Sequence, residues 1–140
     1  MRFLAFATFL LLAPTIACSS GTSNETASLP TGATSESFVR QIDGVWTGSV
    51  EEPGLEYPVK LTSRNGVITT EYPSLPCTGE LQFDRTEGST AIFIERVASG
   101  QAVCLDDIVV VLDIQPNGQL HLGLFLPNGQ PAGAATLNRQ

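Results

Sequence analysis

The 140-residue chain predicts an all-β fold: a small antiparallel meander barrel of about eight strands, with a two-sheet β-sandwich as the alternative. Three observations carry this expectation. From Phe38 onward the chain breaks into short runs rich in β-branched and aromatic residues. The Gly-containing pairs Asn65-Gly66, Glu87-Gly88, Asn117-Gly118 and Asn128-Gly129 lie between consecutive runs and read as hairpin turns. Charged residues are only 15%, too few for a coiled coil, while 42% hydrophobic residues suffice for a core.

Taken in order, the expected strands are 45–51, 57–63, 67–72, 78–84, 90–97, 107–114, 120–126 and 132–138. Gly44-Val45-Trp46-Thr47-Gly48 opens the first. In the second, Tyr57, Val59 and Leu61 share one face, with Lys60 and Thr62 opposite. In the fifth, Glu95 follows Ala91 and Phe93 on one face, and Arg96 follows Ile92 and Ile94 on the other. One of these two charges therefore points to the interior or its mouth, where it needs a partner. That partner is either a polar ligand or a strand neighbour. The sixth run, Ile108 to Leu112, is apolar on both faces and suits a well-covered strand. In the seventh, Leu120, Leu122, Leu124 and Leu126 oppose His121, Gly123 and Phe125.

Asn-Gly is the preferred pair where both turn residues need positive φ, so neighbouring runs pair antiparallel and the topology is a meander. Pro116-Asn117-Gly118-Gln119 and Pro127-Asn128-Gly129-Gln130 repeat one strand and one turn apart, which is hairpin chemistry rather than a solenoid period. Closure into a barrel removes exposed strand edges and is favoured over the sandwich for that reason.

Residues 1–17 read as an export signal. Arg2 is the only charge, and the apolar run 3–13 has the length of a signal core but is too short to span a bilayer. Thr15-Ile16-Ala17-Cys18 follows. A small residue directly before a Cys at the end of an apolar run resembles the lipobox of bacterial lipoproteins. The resemblance implies diacylglycerol on Cys18, cleavage before it, and attachment to the cell envelope, with Ser19 in the next position suggesting the outer membrane. Thr15 departs from the Leu usual in that family, and an ordinary secretory signal ending near Ala17 is the alternative. Residues 18–37 then form a lipidated Cys and a Ser/Thr/Gly-rich flexible stalk, and 38–140 the β domain.

With Cys18 acylated, Cys77 and Cys104 remain. In an exported protein they are expected to pair, closing a loop of roughly 28 residues that stabilises by about 3 to 4 kcal/mol in the chain-entropy model. Redox-active thiols and metal ligands are the rival readings, and neither has a CxxC spacing or a nearby His in its favour.

No catalytic residue, metal ligand or cofactor motif is expected. The single His, His121, would need a Ser and Asp113 to act as a hydrolase base, and no GxSxG elbow is present. Glu51-Glu52 and Asp106-Asp107 are adjacent carboxylates on opposite strand faces and read as a solvated rim. Trp46, Tyr57, Tyr72 and Phe83 either line a ligand cavity or belong to the core. A net charge of −7 disfavours nucleic acid.

Gly44-x-Trp46 resembles the Gly-x-Trp opening of lipocalins and avidin-like barrels. Trp46-Thr47-Gly48, Tyr57-Pro58-Val59-x-Leu61, Tyr72-Pro73-Ser74-Leu75-x-Cys77-x-Gly79-x-Leu81, Glu95, Gly100 and Cys104 together resemble a small bacterial extracytoplasmic module found in lipoproteins and on the outer side of some Ser/Thr kinases. That resemblance carries no assigned biochemistry; it implies the Cys77–Cys104 pairing and a binding or sensing role. Membrane-bound lysozyme inhibitors are similar in architecture, but their inhibitory loop motif has no convincing copy here.

The expected function is a non-enzymatic module, anchored to the membrane through its N-terminal lipid, that binds an unknown protein or small-molecule ligand. Tyr72, Ser74, Glu95 and Arg96 are the candidate binding residues, with the 71–77 loop stiffened by Pro73 and Pro76. A merely structural corner is the alternative for that loop. The alternatives for the whole chain are an inhibitor of a hydrolase such as lysozyme, met through the acidic surface, and a hydrolase using His121.

Overall fold

The computed structural model describes residues 31–140. The stretches read as a signal (1–17), a lipidation site (Cys18) and a stalk up to residue 30 lie outside the described residues. A helix α1 (Thr31–Gln41) leads into eight strands: β1 (Gly44–Glu52), β2 (Leu55–Arg64), β3 (Val67–Tyr72), β4 (Cys77–Glu87), β5 (Thr90–Ser99), β6 (Ile108–Ile114), β7 (Leu120–Phe125) and β8 (Pro131–Arg139). Each strand pairs antiparallel with the next, and β8 returns to β1 through Trp46↔Arg139, Thr47↔Asn138, Val50↔Ala135 and Glu51↔Ala134. The sheet is therefore a closed meander barrel, and the sandwich alternative is excluded.

Alternation places the core inside the barrel. Val59 and Leu61 of β2, Val110 and Leu112 of β6, and Leu120 and Leu122 of β7 are all fully buried. The outer face of β6 is less covered than its composition suggests: Val109 and Val111 are only half-buried.

Two turn assignments need correction. Asn65 (φ 53°) and Gly66 (φ 85°) do form the two-residue turn with positive φ at both positions. At Asn117-Gly118 and Asn128-Gly129 only the glycine is left-handed. There the preceding Pro fixes φ near −65°, which selects a type I turn closed by a left-handed Gly. The bonds Gly118 N to Gln115 O (2.9 Å) and Gly129 N to Leu126 O (2.8 Å) mark those turns.

The second difference is α1, whose 31–37 portion falls within the stretch read as stalk. Its Ser, Thr and Gly content gives little intrinsic helicity, and its hold on the barrel comes from tertiary burial. Phe38 and Ile42 enter one end of the barrel, with the Phe38 ring 6.3 Å from that of Phe93. The indole N–H of Trp46 donates to Ile42 O at 2.7 Å, and Ser63 Oγ donates to Val39 O at 3.4 Å. Arg139 lies 4.4 Å from the Trp46 ring centroid and donates to Gln41 O (2.7 Å) and Asp43 O. Helix, first strand and last strand are thus locked together, and this end of the barrel is stoppered.

Candidate functional site

The opposite end is open. β1, β3, β5 and β7 finish there, and the connections at this end include the longest in the barrel, residues 100–107 between β5 and β6. Inside the mouth lies a cup of about 400 Å³, within the size range of small-ligand sites. Its wall is mostly apolar, including Leu75, Val97, Ile108, Leu124 and Leu126, with Tyr57 and Tyr72 on one side. At the rim, Leu55 is 53%, Val103 59% and Leu105 65% exposed. Large apolar side chains at that exposure border a cavity that continues their surface inward.

The cup has one deeply buried charged group. Glu95 projects inward from β5 and is only 4% exposed. Strand alternation sets this direction: Phe93, one step below, packs under the helix stopper, and Val97, one step above, lines the cup. Tyr72 Oη donates to both Glu95 carboxylate oxygens at 3.0 Å, and Thr70 Oγ1 donates to Oε1. Room for the carboxylate exists because position 79 is glycine. A Cβ there would sit 2.7 Å from Glu95 Cγ and 2.8 Å from Thr70 Oγ1.

Burial raises the Glu95 carboxyl above its ordinary value, the two hydroxyl donors pull it part of the way back, and Asp106 pushes it up further. Burial, then the adjacent carboxylate, push the Tyr57 hydroxyl up beside Glu52 and the Tyr72 hydroxyl up beside Glu95, so both phenols stay protonated as donors. Tyr57 Oη donates to Glu52 Oε1, and the two tyrosine rings meet edge to face at 5.9 Å.

The disulfide joins Cys77, at the start of β4, to Cys104 in the 100–107 connection, with Cα atoms 6.3 Å apart. It straps two loops of the mouth together. The long connection is held further by Asp106 Oδ1, which accepts from Val97 N at 2.9 Å, and by the ion pair of Arg96 with Asp107. In the shorter loop, Leu75 N donates to Tyr72 O at 2.8 Å and Cys77 N to Leu75 O at 2.7 Å.

The candidate residues therefore separate. Tyr72 and Glu95 meet in the cup. Arg96 points outward, to Asp107 and to Gln82 Oε1 at 3.3 Å, and does not join them. Ser74 is exposed on the 73–76 loop and does not line the cavity. Tyr57 belongs to the cup, whereas Trp46 belongs to the stoppered end and Phe83 packs edge-on against Phe93. Of the paired acids, Glu52 lines the cup, and Asp106 and Asp107 brace the rim. His121 stands on the outer wall opposite Asp113 and Thr136, and Asp113 instead accepts from Gln115 Nε2 (2.8 Å) and Ser89 Oγ (3.4 Å). Thr70 was not singled out in the sequence, and Gly79 stood only within the resemblance motif, with no role assigned. Their signal was present: a hydroxyl between inward Ile68 and Tyr72, and a missing side chain between inward Cys77 and Leu81.

No protein-family model, no curated protein and no solved structure matches the chain.

Proposed function

We propose that the domain is a non-enzymatic binding module that receives a small ligand in the open end of its barrel, and that it is exported and fastened to the bacterial envelope by lipid on Cys18. The observation that carries the ligand reading is the contrast in filling along the barrel axis. Within the lumen one end is filled by Phe38, Ile42 and Trp46, the recess of about 540 Å³ at that end being a groove of mostly exposed residues between α1 and the Asn65-Gly66 turn, and the other end holds a cup of about 400 Å³ with a buried carboxylate in it. A folded domain gains stability by filling such space, and an open apolar cup with few polar groups is the form that small-molecule sites take. The strap and the loop bonds hold the mouth in shape before a ligand arrives, so less ordering entropy is lost on binding.

Nile red, an uncharged dye that brightens in apolar surroundings, tests the cup. Saturable one-site binding is expected for the mature chain and at least tenfold weaker binding for Leu126→Trp and Ala132→Trp, which fill the cup from the β7–β8 hairpin. Equal binding by all three folded proteins overturns the reading. Mass spectrometry of the mature chain, with and without reductant, tests the address. A diacylglyceryl mass on a chain beginning at Cys18 supports it, and an uncut leader overturns it.

A further inference from the structure

We infer that the ligand is an organic cation: a primary amine or quaternary ammonium group carried on an apolar body, with the positive charge seated against Glu95 and the tyrosine wall. The inference rests on the cup reading above and deepens it.

The first ground is the distribution of charge. The side chains lining the cup include two carboxylates, Glu52 and Glu95, and no Lys, Arg or His. Among the described residues the cations of the neighbouring strands lie elsewhere, and Arg64 is exposed at the far end of β2. Lys60 pairs with Glu71 at 3.2 Å on the outer face, Arg96 pairs with Asp107, and Arg85 pairs with Asp84 and Glu87. Arg139 is committed to Trp46 and to Gln41 O and Asp43 O at the stoppered end.

The second ground is what Glu95 lacks. A buried carboxylate is costly unless an opposite charge and hydrogen bonds compensate it. Thr70 and Tyr72 supply hydrogen bonds, but both are neutral. The charged groups facing this region from adjacent elements, Glu52 on β1 and Asp106 in the β5–β6 connection, are themselves acidic. An ammonium group entering the cup would provide the missing counter-charge where water screens it least.

The third ground is the wall itself. Tyr57 and Tyr72 both line the cup, and tyrosine faces attract cations, most of all desolvated ones. Leu75, Val97, Ile108, Leu124 and Leu126 leave the rest of the cup for hydrocarbon. A carboxylate ligand would face two like charges, and a neutral alcohol would leave Glu95 uncompensated.

Four probes built on an eight-carbon chain separate these cases: octylammonium, octyltrimethylammonium, octanol and octanoate, each competed against Nile red on the mature chain at neutral pH. The signal from the Leu126→Trp chain is subtracted as background from the acyl groups. Both cations are expected to bind at least tenfold more tightly than octanol, with octanoate weakest. In Glu95→Gln the preference should shrink to threefold or less while octanol binding persists. Glu52→Gln, changed at the rim, should reduce the preference by a smaller factor and serves as the second variant if Glu95→Gln does not fold. Octanol or octanoate binding as tightly as the cations overturns the cation inference and leaves the cup standing. Binding of none of the four, together with no Nile red signal, overturns both.

Discussion

The two ends of this barrel are built from the same eight strands and solve opposite problems. At the stoppered end the inward side chains are large and interlocked. Trp46 is 2% exposed, its N–H is satisfied by Ile42 O just past α1, and β2–β3 closes in a two-residue turn. At the open end the inward layer stops short of filling the lumen. The longest connection lies there, apolar side chains stand in solvent, and a carboxylate is buried beside them. The difference shows that stability and recognition are divided along the axis. One pole supplies the packing that tolerates an unfilled, charged cavity at the other.

Phe93 and Val97 sit four residues apart on β5, both inward, one on each side of Glu95, and compare the ends most directly. Phe93→Ala should lose about 3 to 5 kcal/mol in urea unfolding followed by Trp46 fluorescence, whereas Val97→Ala should lose about 1 kcal/mol or less. Similar losses at both positions would mean that the open end is packed as tightly as the closed one. Removing the strap, as Cys77→Ser with Cys104→Ser, should cost about 3 to 4 kcal/mol and weaken ligand binding as well, because the strap closes both a chain loop and the mouth. Arg139→Ala should cost about 1.5 to 3 kcal/mol through its charged hydrogen bonds to Gln41 O and Asp43 O, with ligand binding unchanged. A binding loss there would show the two ends to be coupled.

The smallest effect concerns Glu95. Its folded-state carboxyl holds its proton to higher pH than in the unfolded chain. It therefore contributes fully below the ordinary carboxyl value of about 4.3, and that contribution is lost as pH rises through the raised folded value. Glu95→Gln should accordingly melt at a higher temperature than the parent near neutral pH, with the gap closing in acid. A gap that widens in acid would mean that the hydrogen bonds from Thr70 and Tyr72 outweigh burial and lower the Glu95 carboxyl.

The strands were legible because two independent signals agreed. Alternation of apolar residues located each run, and turn pairs such as Asn65-Gly66 bounded it. The direction of Glu95 was legible only as a choice of two. Ile92 and Ile94 make the outward face of β5 as apolar as the inward one, so alternation alone cannot say which face is inside; closure of the sheet decides it. Helix α1 left almost no local trace, because the residues that hold it, Phe38 and Ile42, gain their burial from a barrel end assembled by distant strands. The rim was illegible for a related reason: Val103 and Leu105 lie in a connection with no periodicity to read.

Both described extremities of the chain meet at one pole. Helix α1 enters there, and Gln140 is pinned beside it by Val45 O and Thr47 Oγ1 at 2.9 and 2.6 Å. A leash paid out from the amino end, or a neighbouring module spliced to either terminus, would attach on the side away from the orifice. The receptacle would then hang with its aperture turned outward, free to meet solutes whatever the surface from which it is suspended.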